Sequence, residues 1–316
     1  MNPLSALYGA VVKARNRRYQ SGVLKSYRLQ GPVVSIGNLS VGGSGKTPFL
    51  IALGKLLQQR GLEFDVLSRG YGRATTDVAL VDPAGSPRDF GDEPLLIARQ
   101  LQVPVIVGAD RYAAGQFAEQ RFGPCMHLLD DGFQHRRLAR DFDIVMVSPS
   151  DKQEALLPVG RLREPLSSLM RADAVVLTND APCDGLLLAP YLVWRVQRDV
   201  DVANSLKEAC FAFCGIARPQ AFFEQLREAG IDLAGTRTFR DHHLYTEFDV
   251  DKLLALRKRH NAKAFVTTEK DAINLQAHAS KLAPLHIAPV RMRLENSDSV
   301  VSVMLARIAS RKGRPA

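Results

Sequence analysis

The chain has 316 residues, of which 46% are hydrophobic and 24% charged, a balance that excludes intrinsic disorder, a collagen-like repeat and a disulfide-stapled scaffold. At roughly 150 residues per domain the length suits two domains; the four cysteines form no paired framework and fit a reducing compartment, and no apolar run reaches the roughly 18 residues of a membrane-spanning helix. The net charge is +9, from 42 Lys and Arg against 33 Asp and Glu, and it is unevenly placed. Residues 1–30 hold Lys13, Arg15, Arg17, Arg18, Lys25 and Arg28 and no acid, and residues 300–316 add Arg307, Arg311, Lys312 and Arg314. Such acid-free ends point to an anionic surface, membrane or nucleic acid, as partner.

At the N-terminus, Leu4, Leu7, Tyr8, Val11 and Val12 recur at helical spacing, with the basic residues after them. A secretory signal has the opposite order, charge before apolar core, so a signal peptide is rejected. An interfacial helix fits, its apolar side in the acyl boundary and its cations near lipid phosphates. The competing reading packs the stripe on the protein core and leaves the cations solvated.

VVSIGN (33–38) reads as a β-strand, followed by SVGGSGKTP and an amphipathic helix closed by Gly61. FDVLSRG (64–70) is the next strand. The turn-rich DPAGSPRDFGDEP suits a hairpin or a loop over a site. Helix 95–102, strand 103–109, helix 111–123 and strands at 125–132, 142–148 and 172–179 follow. This βαβ alternation predicts an α/β fold with a doubly wound, mostly parallel sheet, and the glycine-rich SVGGSGKTP between its first strand and helix makes that sheet P-loop NTPase-like. Beyond a boundary near 180–200 the pattern restarts as a smaller α/β unit. Its strands are expected near 191–197, 208–217, 262–272, 285–292 and at SVVSVML (299–305), its helices at 219–230 and 250–260. The predicted organisation is a basic membrane-associating helix over 1–30, a P-loop core over 31–190 and a C-terminal lid domain over 191–316.

The sharpest local signal is Val41-Gly42-Gly43-Ser44-Gly45-Lys46-Thr47-Pro48 between strand and helix. A Walker A loop is GxxxxGK[ST]; Ser40 stands at its first glycine. Glycines let backbone N–H groups turn inward around phosphate oxygens. The helix N-terminus favours the anion. Lys46 reaches the β and γ phosphates of ATP, and the Thr47 hydroxyl suits Mg²⁺. LLDDG (128–132) ends an apolar strand with Asp130 and Asp131, as a Walker B segment does, and offers carboxylates to the metal. Gln134, in the QHRR that follows, suits contact with a phosphorylated substrate.

Taken together, SIGNLSVGGSGKTP (35–48), SRGYGR (68–73), GDEP (91–94), GADR (108–111), LDDGFQH (129–135), LPVGRLREP (157–165), FCGIARP (213–219), FRDHH (239–243) and TTEKDA (267–272) make the chain resemble the tetraacyldisaccharide 4'-kinase (lipid A 4'-kinase) family over nearly its whole length. Ser40 also matches that family's loop. The resemblance implies transfer of the γ-phosphoryl group of ATP to the 4'-hydroxyl of a tetraacylated glucosamine disaccharide 1-phosphate. It implies Mg²⁺, a lipid A disaccharide precursor as partner, and a peripheral location on anionic lipids at the cytoplasmic face of the bacterial inner membrane. The basic amphipathic N-terminus is then explained, because an acylated substrate stays in its bilayer.

The resemblance also carries roles. Asp92 in GDEP matches the family's candidate base. Asp241-His242 supplies a second candidate, the acid orienting the imidazole and the imidazole orienting or activating Asp92. Asp92 or a histidine takes the proton, and the choice between His242 and His243 stays open. Arg69, Arg111, Arg163 and Glu164 match positions in the active-site cleft, where arginines stabilise the transferring phosphate or grip the 1-phosphate. Glu269, Lys270 and Asp271, placed after a strand of the second unit, suggest a lid over the nucleotide. Cys125, Cys183, Cys210 and Cys214 read as buried thiols, since C-x₃-C alone completes no zinc site.

Two other readings compete. A regulatory P-loop NTPase needs the loop and LDDG but no acceptor base and no membrane stripe. A nucleic-acid-dependent ATPase is prompted by the charge, but the basic ends lack interleaved aromatics and no docking motif is visible. No nucleic acid and no obligate protein partner is expected.

Overall fold

The computed structural model describes residues 2–178, 191–201 and 208–311. Its first element, α1 (Pro3–Gln20), is capped by the Asn2 side chain, which accepts from the Leu4 N–H at 3.0 Å, and has Pro3 in its first turn. The expected single stripe divides. Tyr8 and Val12 turn inward with buried Ser5, whereas Leu4, Leu7 and Val11 are 59–65% exposed. Ser5 Oγ donates to the Leu156 carbonyl at 2.8 Å and the Tyr8 hydroxyl to that of Arg163 at 3.1 Å. The helix is thus docked by polar bonds and keeps an apolar face outward.

The core follows: β1 (Val33–Asn38), α2 (Lys46–Gln59), β2 (Phe64–Ser68), β3 (Ala79–Leu80), α3 (Pro87–Phe90), α4 (Asp92–Leu101), β4 (Val105–Val107), α5 (Arg111–Phe122), β5 (Met126–Asp130), β6 (Phe142–Met146), β7 (Ala174–Thr178) and β8 (Leu192–Val200). Helical crossovers make neighbouring strands parallel, and strands covered on both faces read as near-continuous apolar runs. β1, β2, β5 and β6 are buried throughout. The smaller unit is β9 (Cys210–Cys214), α6 (Pro219–Glu228), β10 (Leu233–Thr238), α7 (Glu247–Arg259), β11 (Ala264–Thr268), α8 (Glu269–Leu275) and β12 (Leu285–Ala288), after which β13 (Val290–Leu294) and α9 (Ser297–Arg311) close the described chain.

Two sheets result. The larger runs β13-β8-β7-β6-β1-β5-β2-β4-β3, with antiparallel pairs only at its edges; the smaller runs β10-β9-β11-β12 and is parallel. This corrects two expectations. β8 and β13 were expected in the C-terminal unit but pair with one another in the larger sheet, so the smaller sheet is an excursion from Cys210 to Ala288 between them. SVVSVML is helical: its β-branched run suggested a strand, but Val301, Met304 and Ile308 recur at i, i+3, i+7 and are the buried residues of α9. Cys183, Lys312 and Arg314 lie outside the described residues.

Candidate active site

The site lies at the carboxyl ends of β1, β2 and β5, where ligands of open α/β sheets bind. The chain leaves β1 at Asn38 and enters α2 at Lys46. Gly42 has φ +94° and Gly45, which caps α2, has φ +82°. A side chain is strained in either conformation, and at Gly42 a Cβ would also strike Arg161. Arg161 clasps the loop, donating to the Val41 carbonyl at 2.9 Å through Nη2 while its own carbonyl accepts from the Val41 N–H at 2.8 Å. Lys46 Nζ donates to Asn38 Oδ1 at 3.1 Å and lies 3.5 Å from Asp131. Thr47 is buried, and Ser44 Oγ is buried with no partner in the structure. Pro48, in the first turn of α2, loses no helical hydrogen bond.

The β1–β5 register, which sets Ile36 opposite Asp130, brings the paired acids beside this loop. Asp130 is buried; it accepts from Ser68 Oγ at 3.0 Å through Oδ2, while Oδ1 has no partner. Burial, then Glu93 and Asp131 as like charges, push its pKa up to about 7. Asp131, with φ +50°, is held by a fork from Arg163 at 2.7 and 2.8 Å. Burial opposes its ionisation, but Arg163 and Lys46 outweigh burial and hold the carboxyl well below the usual range. Arg163 also contacts Asn38 Oδ1.

Arg111 is 6% exposed; Nη1 donates to the Ala109 carbonyl at 2.9 Å and Nε has no partner. Burial, then exposed Arg69 nearby, lower its pKa. Arg69 thus lies near enough to Arg111 to act on it as a like charge. Gln134 donates to the Asn38 carbonyl at 3.0 Å, which ties the segment after Asp131 to β1. Glu164 is differently placed from the cleft position expected of it: its buried carboxylate accepts from Asn16 of α1 at 2.7 Å and from Arg171 at 2.8 Å, and so anchors α1.

A second group faces this one from the smaller unit. Asp92 opens α4 and is 4% exposed. His242 Nδ1 lies 2.9 and 3.0 Å from its two oxygens, and Asn274 Nδ2 donates to Oδ2 at 3.1 Å. His242 has φ +59°, in the turn after β10. Burial alone would raise the Asp92 pKa; the hydrogen bond from His242 and the charge of Lys270 overcome it and leave the carboxyl below its ordinary value. Burial alone would lower that of His242, and the Asp92 carboxylate overcomes it in the opposite sense. His243 turns the other way, 3.0 Å from Asp249 and stacked on Phe239, so His242 is the histidine at the site. Asp241 is joined to the group through Lys270 Nζ at 3.0 Å; its carboxylate is 3.8 Å from His242 Nε2.

The sequence suggests a lid for Lys270, whereas its ammonium lies against Asp92, and no motif in the sequence marks Asn274. The charged TEKDA run marked the segment but not the direction of its side chains. Its three charged residues diverge: Glu269 meets Gln100 and Arg291, Lys270 meets the Asp92 group, and Asp271 accepts from the Gly215 N–H at 2.7 Å and the Tyr245 hydroxyl at 2.7 Å. Glu93 joins the halves, since it acts on Asp130 as a like charge and lies 3.6 Å from Lys270.

A glycine loop capping a helix, paired acids on the adjacent strand and a carboxylate–imidazole pair across the cleft define a phosphotransferase of the P-loop class. The family model for tetraacyldisaccharide-1-P 4'-kinase matches residues 1–309. The tetraacyldisaccharide 4'-kinase of Koribacter versatilis is 50% identical over 99% of this chain and 100% of its own, and that of Geobacter metallireducens 38% identical over 92% of each. A solved structure of LpxK from Aquifex aeolicus in complex with ATP superposes with a TM-score of 0.79, at 32% identity and 97% coverage of both chains. The chain belongs to the tetraacyldisaccharide 4'-kinase family.

Proposed function

We propose that the protein transfers the γ-phosphoryl group of ATP to the 4'-hydroxyl of a tetraacylated glucosamine disaccharide 1-phosphate. The observation that carries this reading is the buried Asp92 carboxylate, 2.9 Å from His242 Nδ1, whose neighbour Glu93 acts on Asp130 beside the glycine loop. A regulatory NTPase has no use for a proton acceptor of this kind; a kinase for a sugar hydroxyl does.

Phosphoryl transfer depends on positioning and charge neutralisation. The loop amides and Lys46 hold the β and γ phosphates. The O–H bond of the 4'-hydroxyl breaks, its proton passes to Asp92, the new O–P bond forms and ADP leaves with the old bridging oxygen. His242 donates Nδ1–H to Asp92 and orients the carboxylate. Arg69 and Arg111, like charges near one another, are relieved by an anionic phosphate. Arg163 keeps Asp131 ionised at the loop.

The residues fit Mg²⁺. Asp130 is a buried carboxylate with an oxygen that lacks a partner and a pKa pushed to about 7, as expected where a cation's charge is needed, and Thr47 lies buried at the start of the adjacent helix. When bound, the ion neutralises charge on the phosphates. Asp130 and Thr47 would hold it, with Asp131, already engaged by Arg163, in support.

Among the described residues no helix is long and apolar enough to cross a membrane. The outward Leu4, Leu7 and Val11, beside exposed Lys13, Arg17 and Arg18, suit a peripheral site on the anionic inner-membrane surface, where the acylated substrate resides. The test is transfer of label from γ-labelled ATP to the acylated disaccharide 1-phosphate in mixed micelles, with and without Mg²⁺. Mg²⁺-dependent labelling is expected; ATP consumption with an unlabelled glycolipid overturns the reading.

A further inference from the structure

Lys270 is the second residue of α8 and its side chain is 14% exposed. Burying an ammonium is costly unless it is paired. Nζ has acids on several sides: Asp241 at 3.0 Å, Glu93 at 3.6 Å and Asp92 at 3.7 Å. Its remaining neighbour is not an acid. It is His242 Nε2, at 3.3 Å.

That contact constrains the imidazole. An ammonium has three N–H donors and no acceptor, so a ring nitrogen facing it must present a lone pair. The other ring nitrogen, Nδ1, faces both Asp92 oxygens and must carry the hydrogen. Lys270 in place therefore selects the neutral Nδ1–H tautomer of His242. The groups facing the ring are Asp92 from α4, Asp241 from its own turn, Lys270 from α8 and the Tyr71 ring at 5.2 Å. Asp92 and Asp241 favour the imidazolium, and Lys270 is the one cation among these groups opposing it.

We infer that Lys270 is a positioning residue that fixes the tautomer of His242 and so sets the lower pH limit of phosphoryl transfer. The inference rests on the kinase reading above. An imidazolium would hold the Asp92 carboxylate too firmly for it to accept a proton from the sugar; a neutral imidazole orients Asp92 and leaves its basicity available. Removing the Lys270 charge raises the proton affinity of His242 and of Asp92 alike, so both effects move the acidic limb of the rate profile toward higher pH.

The experiment is the pH dependence of kcat/KM for the acylated disaccharide 1-phosphate, in the full chain, for wild type, K270M and K270R. K270M is expected to move the acidic limb up by about one pH unit. Its rate recovers toward wild type in alkaline buffer, KM for ATP stays within about threefold, and K270R restores much of the wild-type profile. A K270M loss of the same size at every pH overturns the inference. An unlabelled glycolipid with wild-type enzyme instead overturns the kinase reading, which separates the two failures. Should K270M not fold, ¹⁵N-histidine NMR of the wild type decides: a neutral His242 protonated at Nδ1 is expected at pH 8.5, and a doubly protonated ring or the Nε2–H tautomer overturns the inference.

Discussion

The two walls of this cleft are made of different material. The proposed nucleotide wall is local and largely backbone: glycine amides over residues 42–45 and the start of α2, with the carboxylates that end β5 beside them. The proposed acceptor wall is side chain: Asp92 from the larger sheet's unit, His242, Lys270 and Asn274 from the smaller. A backbone cradle tolerates side-chain change except at its few special conformations and at the one ammonium, Lys46, aimed into it. A side-chain cluster depends on how two units sit together, and a single truncation leaves a buried charge without its partner. Failures on the two walls should therefore look different.

The largest effect is expected from Lys46→Ala on the nucleotide wall. Charge stabilisation of the transferring group is lost, and kcat should fall by about 10³-fold or more; near-normal turnover of labelled ATP would break the loop assignment. Next comes Asp92→Asn on the acceptor wall, with kcat reduced by about 10²–10⁴-fold and KM for ATP within about threefold. A raised KM with unchanged kcat would move Asp92 to nucleotide binding. His242→Gln should cost less than Asp92→Asn, because it orients the base without replacing it, and steady-state rates at saturating ATP rank the two.

Asp130→Asn separates stability from chemistry. The folded pKa is raised from 3.8 to about 7, so the folded state binds the proton more tightly than the unfolded chain. The carboxyl then costs stability as pH rises above about 4, with the full cost above about 7. In Mg²⁺-free buffer at pH 8, Asp130→Asn should raise Tm, by about 2–4 °C for each kcal/mol relieved, while transfer falls. At pH 4 the gain should vanish. A lower Tm at pH 8 would mean that the charge is already compensated. The smallest effect on the fold is expected from Leu7→Gln with Val11→Gln, both exposed. Tm should stay within about 1 °C, while sedimentation with anionic liposomes falls by about tenfold; unchanged sedimentation would detach α1 from the membrane role.

Much of the nucleotide wall was legible because it is local. GGSGKTP spans one turn, and LLDDG ends one strand; each carries its geometry within a few residues. The acceptor wall was legible only in part. GDEP and FRDHH marked Asp92 and His242, and the resemblance to a family suggested their pairing. The choice of His242 over His243 needed the turn at φ +59°, which sends one ring to Asp92 and the other to Asp249. Glu164 misled because its motif, LPVGRLREP, contains both a residue at the loop, Arg163, and one turned under α1. SVVSVML misled because β-branched composition outweighed a three-to-four spacing that α9 uses to cover the sheet.

Residue order alone determined the α/β class and placed the glycine loop and the acid pair at strand ends, since alternating apolar runs, glycines and a helix start act over distances the backbone itself spans. Tertiary structure decided where the excursion to the smaller sheet begins and ends, which face of α1 stays outside, and that an ammonium 178 positions beyond Asp92 comes to 3.7 Å from it. Those outcomes depend on competition among distant surfaces for burial and for counter-charge, and no short window of sequence contains both competitors.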